Sequence, residues 1–252
     1  MNQAYSVVGE PNKYGGRLLI TCEHASNAVP APLTKTPADQ RWLDDHWGWD
    51  IGAADVVKEL VRIKSCVGVL CGYSRLVIDA NRELDHADLI RRQIYGEPLS
   101  FNQDLSDAEV ERRAAEFHAP YHEAVSQQLK KRLELDGDVL LLSVHSFTPE
   151  LDGERRPMEI GVLFDNYEAV AKRLGGLIEA QGFKTALNEP YSGMSGLIFS
   201  ANLHGSNHGV IYIELEIRQD LIDTPDKAVE VARRLEPALT ALQVRGTPRE
   251  SR

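Results

Sequence analysis

The chain has 252 residues, with 38 Asp and Glu against 28 Lys and Arg, a formal net charge of −10 and a pI near 5.3. That balance excludes a surface built for nucleic acid or an anionic membrane, because both need a concentrated basic face. Cys22, Cys66 and Cys71 form no CxxC pair and leave an odd count, which points to a reducing compartment rather than a disulfide framework. No basic segment followed by an apolar run opens the chain, and no apolar stretch approaches the ~20 residues of a membrane span. The expected address is therefore cytoplasmic, with no membrane partner, and the length suits a single α/β domain over residues 1–252.

After a Gly/Pro-rich lead, Arg17–Cys22 reads as a short buried strand that ends in Glu23-His24-Ala25-Ser26-Asn27. Residues 30–41 read as a loop. From Leu43 to Lys64 the apolar positions Ile51, Ala54, Val57 and Val61 recur at helical spacing, with Asp50 near the start where the helix dipole favours a carboxylate. Val67–Leu70 and Arg75–Ile78 read as two β-like runs, the second ending in Asp79-Ala80-Asn81-Arg82. Glu83 to Gln103 has no clear period and is expected to be an irregular excursion. Ser106 with Glu109 forms a capping box that opens a long helix towards Leu135, and Pro120 predicts a kink or a break near Ala119.

The turn-like Asp136-Gly137-Asp138 precedes VLLLSVHSFTP at 139–149. Its four leading apolar residues suit a strand buried on both faces, which then delivers Ser143, His145, Ser146 and Thr148 before Pro149 stops it. Met158–Phe164 reads as a strand after the basic loop Glu154-Arg155-Arg156-Pro157. Tyr167–Gln181 reads as an amphipathic helix ending at Gly182, Phe183–Leu187 as a short strand, and Asn188–Ser200 as a loop. His204 and His208 in HGSNH have an HxxxH spacing, but Gly205 and the missing helical pattern predict a solvated loop. Val210–Ile217 is the last predicted strand, and Thr224 with Pro225 starts a closing helix to about Leu242, before a frayed tail from Arg245. Strands alternating with helices predict a mostly parallel α/β sheet.

In such sheets ligands bind beyond the carboxyl ends of the strands. His24, Asp50, His145, Arg82 and Glu214 or Glu216 all accumulate there. Two histidines and a carboxylate with a fourth position for water make a catalytic zinc set. Glu214 and Glu216 share a strand face, so alternation does not separate them as general base. Asp79 pairs with Arg82 or orients a histidine. No Walker loop, GxGxxG or GxSxG occurs.

The segments CEHASNAVP at 22–30, WDIGA at 49–53, SRLVIDANR at 74–82, SVHSFTP at 143–149, NEPYSG at 188–193 and IELEIRQDL at 213–221 together resemble the N-formylglutamate amidohydrolase family. That resemblance implies a three-layer α/β sandwich of phosphorylase/hydrolase-like, zinc exopeptidase type, with a mostly parallel mixed sheet. It also implies a metal-dependent hydrolase of a small N-acyl amino acid with free carboxylates. By the same resemblance His24 and His145 are metal ligands, Asn81-Arg82 grips a substrate carboxylate, Arg82 and Glu216 are catalytic with Glu216 as base, and Tyr191, Ser192 and Gly193 line the pocket. The related carboxypeptidases carry HxxE, whereas Asn27 stands at that spacing here. The third ligand is then Asp50, with Glu23 as competitor, since a residue adjacent to His24 on an extended chain points the other way. A non-catalytic carboxylate-binding protein, or a peptidase for cell-wall or poly-glutamyl material, are the alternatives.

Overall fold

Leu18–Cys22 and Val67–Cys71 are buried at every position, as strands covered on both faces must be. They belong to a seven-stranded sheet in a computed structural model that describes residues 4–10, 17–135 and 138–242. The strands are β1 (Tyr5–Val8), β2 (Leu18–Cys22), β3 (Val67–Cys71), β4 (Leu140–Phe147), β5 (Ile160–Leu163), β6 (Thr185–Leu187) and β7 (Ile211–Arg218). Their order is β1-β3-β2-β4-β7-β5-β6. Pairing is parallel except for β1 on β3 and β5 on β7. The helices are α1 (Pro37–Leu43), α2 (Ala53–Lys64), α3 (Asp107–Arg113), α4 (Ala119–Leu135), α5 (Glu168–Glu179), α6 (Phe199–His208) and α7 (Pro225–Ala241). α7 packs on α2 and α5, while α4 packs on α6. The result is the expected three-layer α/β sandwich.

Register positions the functional end of the sheet. β2, β4 and β7 run parallel, with Thr21 and Glu214 both level with Ser143, and Glu216 level with His145. The carboxyl ends of three central strands therefore open on one rim. Among the described residues no helix is long and apolar enough to cross a membrane.

Several elements differ from expectation. The predicted 43–64 helix starts late, and α1, opened by a reciprocal cap between Thr36 and Asp39, occupies the end of the predicted 30–41 loop and reaches Leu43. A turn follows, and α2 begins only at Ala53. Gly48 and Gly52 enforce that break. A Cβ at Gly48 would lie 2.4 Å from the Leu43 carbonyl oxygen, and Gly52 has φ +82°. Arg75–Ile78 is not a strand. Ser74 Oγ accepts from Leu76 N–H and Ser74 O accepts from Val77 N–H, so the apolar run folds into a buried turn.

The helix that opens at Ser106 runs on to Leu135 with a change of helix type just before Pro120. Residues Ala114–His118 form a π-helical segment in which Ala119 N–H bonds to Ala114 O, five residues back, and Pro120 enters α4 just after this wider turn. HGSNH belongs to α6, not to a loop, and His204 is buried. Its small residues hide the helical pattern: the Tyr212 ring sits against Gly205, where a Cβ would come within 2.0 Å of Cδ1. β1 was hidden in the Gly/Pro-rich lead. The expected turn at 136–137 and the tail from Arg245 lie outside the described residues.

Candidate active site

His24 leaves the end of β2 and His145 occupies the end of β4, with ring centroids 4.7 Å apart. Asp50 comes from the turn before α2, where its backbone N–H bonds to His24 O at 2.9 Å. Its Oδ2 lies 2.7 Å from His145 Nδ1 and 3.5 Å from His24 Nδ1. One donor atom from each of the three residues lies within 4.8 Å of the others.

Both rings are fixed from behind by carboxylates. Asp79 Oδ1 is 2.7 Å from His24 Nε2, and Glu23 Oε2 is 3.1 Å from His145 Nε2. Glu23 is fully buried and saturated: Ser143 and His145 face its Oε2, while Tyr121 and Ser200 donate to its Oε1. Burial works against its charge, but these partners and the imidazole hold the carboxyl well below the usual range. Glu23 thus points away from Asp50, as strand alternation anticipates, and orients a ring. Asp79 pairs with Arg75 at 3.0 Å, not with Arg82, and accepts from Asn81 N–H.

Burial likewise opposes ionisation of Asp50, yet the two imidazoles hold its carboxyl well below the ordinary range. His24 Nδ1 is buried with no hydrogen-bond partner, as are Oε2 of Glu214 and of Glu216. Two Nδ1 atoms and a carboxylate oxygen converging among several buried acids are a donor set that fits a divalent cation. Bracing by Asp79 and Glu23 is the outer support that such ligands need.

A cavity of about 420 Å³ opens onto this group. Glu216, Arg82, Asn81 and Tyr191 line it; Ser192 and Gly193 do not. Ser192 instead caps the turn at Met194, and Gly193 packs on the Phe164 backbone. Asn81 also holds its own loop, donating to Leu197 O and accepting from Ser200 N–H. Burial raises the Glu216 carboxyl well above its ordinary pKa and brings Glu214 up to about 7.

A family model described as N-formylglutamate amidohydrolase matches residues 16–223. The chain belongs to the N-formylglutamate amidohydrolase family. It is similar to the structure of a gene product from Agrobacterium tumefaciens, with 28% identity, TM-score 0.83, and coverage of 95% of this chain and 96% of that one. An N-formylglutamate amidohydrolase from Ralstonia eutropha shares the fold at 18% identity and TM-score 0.76, over 96% of this chain and 97% of that one. Among curated proteins none matches.

As an N-formylglutamate amidohydrolase family member the protein is a hydrolase acting on amides, and its site contains residues that sequence reasoning passed over. Arg75 and Arg156 line the cavity, but one stood at the head of an apolar run and the other in a basic loop. Tyr121 and Ser200 fasten Glu23 from α4 and α6, a contact without any local sequence signal. Behind the Arg82 loop, His118 Nε2 lies 3.1 Å from Arg82 O and 3.2 Å from His122 Nε2, and His122 Nδ1 lies 2.9 Å from His204 Nε2. Tyr121 and His122 are buried residues of α4, and neither His204 nor His208 lines the cavity.

Proposed function

We propose that this protein is a metal-dependent amidohydrolase that removes a small acyl group, formyl in keeping with its family, from an amino-dicarboxylic acid such as glutamate. The observation that carries this reading is the convergence of His24 Nδ1, His145 Nδ1 and Asp50 Oδ2, each ring braced by its own carboxylate, at the mouth of a cavity that also holds Glu216 and Arg82. His24, Asp50 and His145 would hold one divalent ion, with zinc the best match to two imidazoles and one carboxylate. When bound, such an ion supplies Lewis acidity and a lowered pKa for water.

The chain's own residues do the rest. Arg82 fixes a substrate carboxylate through paired donors, and its guanidinium has no carboxylate partner among the described residues. Asn81, anchored at both ends of its amide, keeps that loop in place. Glu216 stands level with His145 while Glu214 sits two residue pairs further back along the strand, beside Ser143, so Glu216 is the better placed proton acceptor. In this reading Glu216 takes a proton from attacking water and returns it to the leaving nitrogen.

Metal analysis of the purified protein, followed by hydrolysis of N-formyl-L-glutamate and a series of N-acyl amino acids, tests the proposal. The expected result is one equivalent of divalent metal and release of formate. A metal-loaded protein that binds N-formylglutamate but never cleaves it would favour the binding-only alternative.

A further inference from the structure

Four arginines line the cavity, and two of them carry their own counter-charge. Arg75 pairs with Asp79 at 3.0 Å and lies 3.8 Å from Asp50, and Arg91 pairs with Asp88 at 2.9 Å. Arg82 and Arg156 have no carboxylate within ion-pair distance among the described residues. Arg156 combines this with burial, being only 8% exposed. Of the other buried arginines, Arg113 pairs with Glu109 at 2.9 Å and Arg218 with Asp220 at 2.7 Å, whereas Arg132 of α4, which does not line the cavity, also has no carboxylate within ion-pair distance among the described residues.

Arg156 is nevertheless firmly held. It follows the hairpin made by Glu150–Leu151 and Glu154–Arg155 just after β4. Its backbone N–H donates to Pro149 O, and its carbonyl accepts from Arg218 Nη1. Its own Nη1 donates to the carbonyl and hydroxyl oxygens of Thr148, at 3.1 and 3.2 Å. The guanidinium carbon lies 5.5 Å from the Phe147 ring centroid and 5.4 Å from that of Tyr191. Two aromatic faces and one anchored nitrogen preorganise the fork without neutralising it. A cation removed from water is stabilised by an anion nearby, and because Arg156, unlike Arg132, lines the cavity, a bound anionic ligand is placed to supply one.

We propose that Arg156 binds the side-chain carboxylate of the substrate and sets specificity for an acidic over a neutral amino acid. This rests on the functional reading above, in which Arg82 takes the other carboxylate. Two unneutralised guanidiniums, entering the cavity from the loop after β3 and the hairpin after β4, then match the two carboxylates of an N-acyl amino-dicarboxylic acid.

The test compares N-formyl-L-glutamate with N-formyl-L-glutamine, which replaces only the distal carboxylate by an amide. A charge-assisted pair predicts a kcat/KM preference for glutamate on the order of 10- to 100-fold. Arg156→Gln should erase most of it, mainly through KM, and Arg156→Lys should restore part, with thermal unfolding of each variant showing that it is folded. In parallel, titration calorimetry with glutarate and butyrate reads recognition without turnover: the wild type should bind glutarate more tightly, and Arg156→Gln should lose the difference. Persistence of both preferences in Arg156→Gln, or no glutarate preference in the wild type, overturns the role of Arg156 even if formylglutamate is cleaved. Loss of the glutarate preference in a protein that cleaves no N-acyl amino acid would uphold Arg156 and overturn the amidohydrolase reading instead.

Discussion

Asp79 Oδ1 lies 2.7 Å from His24 Nε2 while its second oxygen holds Arg75. This one carboxylate therefore decides which nitrogen of His24 faces Asp50. With Nε2 engaged, Nδ1 is the atom left without a partner in the buried centre. Glu23 does the same for His145 from the opposite side of that ring. Orientation of both imidazoles is thus set by groups that do not themselves meet Asp50.

If Asp79 works by orienting His24, Asp79→Asn should lower metal affinity by about 10- to 100-fold. Excess zinc should restore much of the activity, because the ligand atoms remain. Chelator competition measures the affinity directly. Unchanged affinity would assign Asp79 to holding Arg75 alone.

The two glutamates of β7 should separate in kinetics. Glu216→Gln is expected to retain metal and lose about 100-fold or more in kcat, since it stands level with His145. Glu214→Gln, two residue pairs further back along β7 and 3.7 Å from His145 Nε2, should act more through the position of that ring. Its loss of turnover should be smaller and its loss of metal larger. The reverse pattern would move the base to Glu214.

Much of this centre is legible in the sequence because a buried strand that ends abruptly in polar residues marks both His24 and His145, and parallel strands bring such ends together. Alternation also separates Glu23 from His24 correctly. Period two could not rank Glu214 against Glu216; register with β4, which sets Glu216 level with His145, is what supports the proposal for Glu216. Arg75 was not legible because Leu76, Val77 and Ile78 look like a strand, and only the hydroxyl of Ser74 converts them into a turn. α6 escaped notice for a related reason: it packs through Gly205 rather than through an apolar stripe, so periodicity had nothing to detect.

That close packing has a measurable cost. Gly205→Ala would place a methyl within 2.0 Å of Tyr212 Cδ1 and 2.9 Å of its Cβ, and a ring rooted in β7 cannot step aside cheaply. A loss of about 1–3 kcal/mol is expected in urea unfolding. Because α6 also carries Ser200, which donates to Glu23, metal affinity should fall as well. A variant as stable as the wild type would show that α6 shifts freely on the sheet.

The buried histidines predict an acid-sensitive fold. Burial, helped by the neighbouring His118 and His204, brings the pKa of His122 down to about 3, and burial brings His204 down to about 4. The unfolded chain takes up protons on these rings near pH 6.5, so between pH 6.5 and about 3 it binds more protons than the folded one. Their stabilisation is complete above pH 6.5 and is lost as the pH falls. For His122 alone the loss between pH 7 and pH 5 is about 2 kcal/mol. Carboxylates with lowered pKa values lose their contribution mainly below about pH 5, whereas Glu214, raised to about 7, changes stability in the opposite direction within this window, so the comparison with a variant is what isolates histidine. Urea unfolding at the two pH values, in the wild type and in His122→Asn, isolates the share of this ring whatever the variant's absolute stability. The wild type should lose about 2 kcal/mol more than the variant; equal losses would mean that His122 takes up its proton as readily in the folded chain as in the unfolded one.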